Sequence, residues 1–419
     1  MIPKYRKSVL DGGVRLVTEQ LASASSVALG FWVAVGSRDE GPAENGLAHL
    51  LEHMVFKGTA RRDKLAIARE IDRQGGQANA YTSKEYTCFH TRVRPEHLAE
   101  AVDLFVDIFQ NSLYDEDELH LEKQVISQEI SMVEDEPEEL VHDLAASRFW
   151  PDHPLGRPVA GTQDSVAALS RRDIESWIAR HYVGPRLVIS AAGAVEHGRL
   201  ADLLAERLKV RAEIESRRLT SPAPRPNLVV KRRKLEQAHL VLTSLFPKIA
   251  DARRHAAAVL NLALGGNMSS RMFQEIRERR GLAYTVYSAY TAYGDTGLME
   301  IYAAAGSDKI AEVRRLILRE LERLRCSPLG ELELAEAVDG LKTGLILAGE
   351  FMENRMSRLA KNEIVFGRHI DLAETCRALD AVKAEEVQAL ALEFFGADRL
   401  AACVLGPVKK SDLERPEAV

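Results

Sequence analysis

The sequence has only four cysteines in 419 residues, Cys88, Cys326, Cys376 and Cys403, and no CxxC pair among them. That scarcity excludes a disulfide framework or a cysteine-ligated zinc and leaves four buried thiols as the expectation. No apolar run approaches the ~18 residues of a membrane helix, so no span is expected. The opening MIPKYRKSVLDGG has basic residues but no apolar stretch behind them, which leaves the cytoplasm as the expected compartment. There is no basic block either. With a net charge of −6, nothing in the chain suits nucleic acid phosphates.

What is present is an ordinary globular composition, 46% hydrophobic and 28% charged, in a chain too long for one core. Two domains are expected. Residues 14–36 alternate apolar and polar with β-branched enrichment and read as two strands. A short helix is expected over about 46–56 with Asn45 as its N-cap, and a second over about 64–74, ended by Gly75 and Gly76. A strand or hairpin starts at Asn79, and two longer helices follow at about 95–110 and 115–134. The acidic run EDEPEE, Glu134 to Glu139, reads as a solvated loop. Residues 213–228, EIESRRLTSPAPRPNL, hold three prolines and no period, and form the expected linker between a domain at 1–212 and one at 229–419. The two halves resemble each other. EIDRQGGQANAYTS at 70–83 has a counterpart in EIRERRGLAYTVYS at 275–288, each a helix end, a glycine and a strand. The expected fold is α+β, a duplicated unit in which each half is a mostly antiparallel sheet packed with helices.

One stretch carries chemistry. HLLEHMVFKGT, residues 49–59, sets His49 and His53 one helical turn apart on one face, with Glu52 beside them. Two imidazoles at that spacing can hold one ion, and a neighbouring carboxylate can take a proton from water. The same three residues also fit a plain solvated helix face. A third ligand is required, and the 115–134 helix offers Glu118, Glu122 and Glu129. Of these, Glu122 and Glu129 stand seven apart on one face, so that one could ligate while the other supports a histidine.

HLLEH followed by Glu129, 76 residues beyond His53, resembles the M16 (pitrilysin-type, inverzincin) metallopeptidases, whose HxxEH reverses the commoner HExxH. The likeness continues through NAYTSKEYT, HPLGRPVAGT and SSRMFQEIRERRGLAY, nearly the whole chain. The length and two-domain plan are similar to the subgroup of the mitochondrial processing peptidase and its bacterial relatives. The resemblance implies one zinc ion per chain held by His49, His53 and Glu129, with Glu122 in support and Glu52 as general base. It implies a peptide substrate paired along the strand at Asn79 and Ala80, the asparagine holding its backbone. It also implies a clamshell of two chains, in which Arg277 and Tyr284 reach the zinc of the opposite half. Because this chain carries both sets of residues, a homodimer is expected, a hetero-partner of the same family being the other arrangement. The expected activity is endopeptidase action on peptides or unfolded segments inside the closed chamber. The alternative is a non-catalytic binding or scaffold subunit, like the related core subunits of a respiratory complex. One departure is Asn267 in GGNMSSR, where the subgroup often has a third glycine; asparagine tolerates the positive φ such a turn would need.

Overall fold

The computed structural model describes residues 4–213 and 219–414, so five residues of the expected linker, 214–218, lie outside the described residues. Among the described residues the chain forms two compact units, each built on one sheet. The first unit is drawn from Met1–Ser131, Pro158–Arg218 and Leu347–Ile370. Its six strands are β1 (Lys4–Val9), β2 (Arg15–Gln20), β3 (Val27–Val33), β4 (Ala78–Thr82), β5 (Thr87–Val93) and β6 (Leu187–Gly193), in the spatial order β1-β2-β6-β3-β5-β4. All pairings are antiparallel except β2 with β6. Strand β4 is therefore an edge.

The central strand β3, VALGFWV, is buried along its whole length because both sheet faces are covered. Val27, Leu29, Phe31 and Val33 join the main core, while Ala28 and Trp32 point the other way. On that second face lies the helix Met352–Phe366, far along the chain, packing Met356, Leu359 and Ala360 against Trp32, Val17 and Val188. Gly30 permits the approach. A Cβ there would stand 2.5 Å from the Met356 sulfur. The Trp32 indole N–H is satisfied by donating to Ser190 Oγ at 2.9 Å.

Four helices of this half position the site: α1 (Leu47–Met54), α2 (Lys64–Gln74), α3 (Leu98–Asn111) and α4 (Glu116–Asp135). The loop between α1 and α2 is pinned by a buried ion cluster. Asp107, with no exposed surface on its side chain, accepts from Arg62 at 2.6 Å, Thr59 at 2.8 Å and Asn111 at 2.9 Å. Arg62 also donates to Glu70 of α2 and Asp103 of α3. Burial pushes the Asp107 carboxyl up, but the three hydrogen bonds and the Arg62 charge together hold it below the usual aspartate range. A depressed folded value contributes stability above the unfolded value, and that stability disappears as pH falls through the folded one. Asp107→Asn is therefore expected to cost about 3 kcal/mol at neutral pH, since it removes the most buried of the three carboxylates that pair Arg62. In urea melts, the gap from the unmodified protein should begin to narrow as pH falls below about 4, where the unfolded aspartate takes up its proton, and should close only once the folded carboxyl, held lower, is protonated as well.

The second unit comprises Met132–Arg157, Leu219–Ile346 and Asp371–Val419. Its strands β7 (Leu228–Arg232), β8 (Gln237–Phe246), β9 (Ala283–Ala292), β10 (Gly297–Gly306) and β11 (Ala401–Gly406) lie in the order β7-β11-β8-β10-β9. Only β7 and β11 pair in parallel, so this sheet repeats the mixed, mostly antiparallel plan of the first. Each sheet is packed with helices, which is the α+β duplication expected from the repeat.

The acidic run at 134–139 is not a loop. It ends α4 and starts a further helix, α5 (Pro137–Phe149). Pro137 at the first position needs no donor there, and Glu138 and Glu139 suit the positive end of the helix dipole. Helix α5 packs Leu140, Val141 and Ala145 onto Val241, Tyr302 and Leu405 of the second sheet. His142 in α5 is satisfied there, by Glu300 at 2.9 Å and the Tyr287 hydroxyl at 3.1 Å. Asn267 is likewise extended, at φ −152° and ψ 179°, rather than left-handed. Its side chain instead accepts from Ser269 Oγ at 3.0 Å, so the third glycine is not needed for conformational freedom. All four cysteines are free thiols, but only Cys88 and Cys403 are buried; Cys326 is exposed and Cys376 is partly exposed. No helix among the described residues is long and apolar enough to cross a membrane.

Candidate active site

Helix α1 is eight residues long and has two faces. Leu47, Ala48, Leu50, Leu51 and Met54 are buried in the core, which leaves His49, Glu52 and His53 on the open side. The expected cap is not the one found. Asn45 precedes a left-handed Gly46 (φ +95°), and the helix starts only at Leu47. A Cβ on Gly46 would stand 2.7 Å from the Ala160 carbonyl, so a side-chain cap at that position is sterically excluded.

Helix α4 crosses this open face and brings up its carboxylates. Glu129 Oε2 lies 3.6 Å from His53 Nε2 and 3.9 Å from His49 Nε2. The ligand atoms of His49, His53 and Glu129 all fall within 4.8 Å of one another, and among the described residues this is the one cluster of three such side chains placed to share an ion. A tetrahedral zinc with bonds of about 2.1 Å separates its ligand atoms by about 3.4 Å, so small rotations would suffice. The set is two imidazole nitrogens and one carboxylate oxygen, a combination that suits zinc.

The supporting groups fix this orientation. Glu122, nearly buried, takes His53 Nδ1 at 3.1 Å on one oxygen and Lys57 Nζ at 2.6 Å on the other. A proton on His53 Nδ1 is thereby held, and the Nε2 lone pair faces Glu129. Burial, helped by the neighbouring His53, lowers His49 to about 4, so this ring is neutral at pH 7 and able to donate its lone pair. Its Nδ1 is buried without a partner.

Glu52 stands beside the cluster without joining it. Its Oε2 accepts a short hydrogen bond, 2.6 Å, from the hydroxyl of Thr82 on β4. Burial holds the Glu52 carboxyl above the usual range; the Thr82 hydrogen bond and the His53 charge oppose this, while Glu129 adds to it. A carboxylate raised in this way is a better proton acceptor near neutral pH than a free one. From Glu52 and His53 a cavity of about 800 Å³ opens, walled by Phe56, Leu65, Ile67, Ile71, Ala78 and Ala80.

The exposed edge begins at Ala78, one residue before Asn79, whose Oδ1 accepts from the backbone N–H of its neighbour Ala80 at 2.8 Å. The asparagine therefore caps its own strand. Arg277 and Tyr284 lie in the second unit and associate with each other. The Arg277 guanidinium donates to the Tyr284 carbonyl at 3.0 Å and lies 4.4 Å from the centre of its ring and 4.7 Å from that of Phe273, while Tyr284 is 75% exposed. Sequence reasoning missed Thr82, Lys57 and Glu40. The last is a buried carboxylate before α1. None is marked by periodicity, since each acts through a contact made by folding.

Residues 15–163 match the family described as Insulinase (Peptidase family M16), and residues 168–341 match Peptidase M16 inactive domain. A Mycobacterium tuberculosis protein named as an uncharacterized zinc protease is 39% identical over 409 residues, 96% of this chain and 93% of that one. The Bacillus subtilis protein named uncharacterized zinc protease YmxG is 37% identical over 404 residues, 96% of this chain and 98% of its own. Among solved structures, a protease from Helicobacter pylori superposes with a TM-score of 0.90 at 20% identity, covering 97% of this chain and 100% of that one. A chain of complex III from Candida albicans superposes with a TM-score of 0.84 at 21% identity, covering 96% of each.

Proposed function

The chain belongs to the M16 peptidase family, and from that premise we propose that it is a zinc-dependent endopeptidase acting on extended peptides. The observation that carries this reading is the convergence of His49 Nε2, His53 Nε2 and Glu129 Oε2 beside a hydrogen-bonded Glu52 at the mouth of a cavity. His49, His53 and Glu129 would hold one zinc per chain, which supplies Lewis-acid polarisation and acidifies water to a pKa of about 7. Glu52 accepts the proton of the attacking water and passes it to the leaving amine. Glu122 keeps the His53 tautomer in place, and Lys57 neutralises Glu122.

The edge strand β4 receives the peptide by strand addition. The backbone N–H of Ala80 becomes available when the substrate carbonyl displaces the Asn79 side chain. An apolar residue next to the scissile bond enters the cavity walled by Phe56, Ile67 and Ile71. Two chains would close around the peptide, with Arg277 and Tyr284 of one placed to stabilise negative charge developing on the carbonyl oxygen of the substrate held by the other. Digesting a random peptide mixture with and without a chelator, with products read by mass spectrometry, tests the reading. Chelator-sensitive cuts with apolar residues enriched on one side are expected. A purified protein without zinc and without cleavage would instead favour a scaffold.

Thr82 offers a finer test. Its hydroxyl fixes one oxygen of Glu52, leaving the other for water. A hydrogen bond to a charged group contributes about 1.5–3 kcal/mol, so Thr82→Val should lower kcat by about 10- to 100-fold. KM and zinc content should stay unchanged, and Thr82→Ser should restore activity. Equal kcat in the valine variant would show that the Thr82 hydroxyl does not position the base.

A further inference from the structure

A helix of eight residues is too short to hold its own position, and α1 lacks a side chain at its N-cap. The backbone donors at its start must still be satisfied. Glu40 does this from six to eight residues upstream. Its Oε2 accepts from Gly46 N–H at 3.0 Å, its Oε1 from Ala48 N–H at 2.9 Å, and Oε2 again from Asn45 Nδ2 at 3.2 Å. Asn45 in turn donates to the Pro158 carbonyl at 3.0 Å, tying the same corner to a distant segment of the first unit. Glu40 is 2% exposed. Burying a carboxylate so completely is costly unless backbone donors and a helix N-terminus compensate it, and here both do.

The residue after Ala48 is His49. We infer that Glu40 is a positioning residue for the metal centre: by gripping the N–H groups of Gly46 and Ala48 it sets the height and rotation of α1, and so of His49, Glu52 and His53. This rests on the zinc reading given above. Ligands must be held to within about 0.5 Å for tight coordination, and an anchor one residue from a ligand controls displacements of that size. Glutamine at position 40 would keep the shape and one acceptor. Its NH2 group, however, would face N–H donors where a carboxylate oxygen now accepts.

The test is zinc affinity, measured by competition with a chromophoric chelator on the full chain at a temperature where circular dichroism shows every variant folded. Glu40→Gln is expected to weaken zinc binding by about tenfold, in the range found when groups supporting metal ligands are changed. Glu44→Gln removes the same charge nearby, from a carboxylate that binds Gly41 N–H and Arg180 rather than α1, and should leave zinc affinity within about twofold. A carboxylate that only stabilises the fold would lower Tm and leave the affinity of the folded protein alone. That result would overturn the inference. If Glu40→Gln does not fold, Asn45→Ala removes one donor to the carboxylate and its tie to Pro158, and should weaken zinc binding about threefold. Unchanged affinity in that variant would count against the inference equally. Failure of the unmodified protein to bind zinc would reject the zinc reading and this inference with it, whereas tight binding that ignores position 40 would reject the inference alone.

Discussion

Glu52→Gln is expected to abolish turnover while leaving zinc content, fold and peptide binding intact. The amide has the shape of the carboxylate and can still accept the Thr82 hydroxyl, now 2.6 Å from Oε2, so the corner between α1 and β4 should not move. What it cannot do is take a proton. General-base assistance contributes about 10²- to 10⁴-fold, and kcat should fall by that amount or more with KM nearly unchanged. A variant that cleaves at the normal rate would remove Glu52 from the mechanism. The same variant tests completion of the site in trans. Arg277→Ala should also be inactive with zinc retained, because it removes a cation proposed to act on the partner's substrate. When the two inactive variants are mixed under subunit exchange, half the dimers are mixed and each has one intact site, so about a quarter of normal activity should return. No recovery, with exchange verified by mass spectrometry, would place Arg277 outside the partner's site.

Glu129→Gln should lower zinc affinity by more than the about 10- to 100-fold typical of a supporting group, because it replaces a ligand. Glu129 is 43% exposed on its side chain, so little of the fold depends on it and Tm without metal should hardly change. Glu122→Gln makes the informative contrast. That side chain is 7% exposed and joins His53 to Lys57; its loss should weaken zinc less than the loss of Glu129 yet destabilise the protein more, by leaving a lysine and a histidine N–H poorly paired. Chelator competition and thermal melts on both variants separate the two roles. If zinc affinity survives Glu129→Gln and collapses with Glu122→Gln, the assignment of ligand and support is reversed.

Much of the centre was legible because it is local. The spacing of His49, Glu52 and His53 needs only a helix to bring them to one face, and the run LAHLLEHM declares that helix by its apolar stripe. The bounds of α2 were equally plain, with two glycines ending it; the Asp63 side chain that caps its start shows only in the structure. The choice of Glu129 over Glu122 was not legible from spacing, since both lie on the same side of α4; the family resemblance supplied it. The cap of α1 was misjudged because Asn45 has the right chemistry but stands before a left-handed glycine. The acidic run reads as a loop because the mean charge of six residues hides a proline at a helix start.

The sequence by itself determined which side chains share a helical face, where strands alternate, and that the chain repeats a unit, since all of these follow from backbone periods of a few residues. Tertiary structure alone decided which carboxylate approaches two imidazoles, that a threonine thirty residues on donates to Glu52, and that Glu40 upstream accepts from the start of α1. It also decided that α5 covers the second sheet and Met352–Phe366 the first. Those contacts depend on how two surfaces fit in space, and separation along the chain carries no record of that fit.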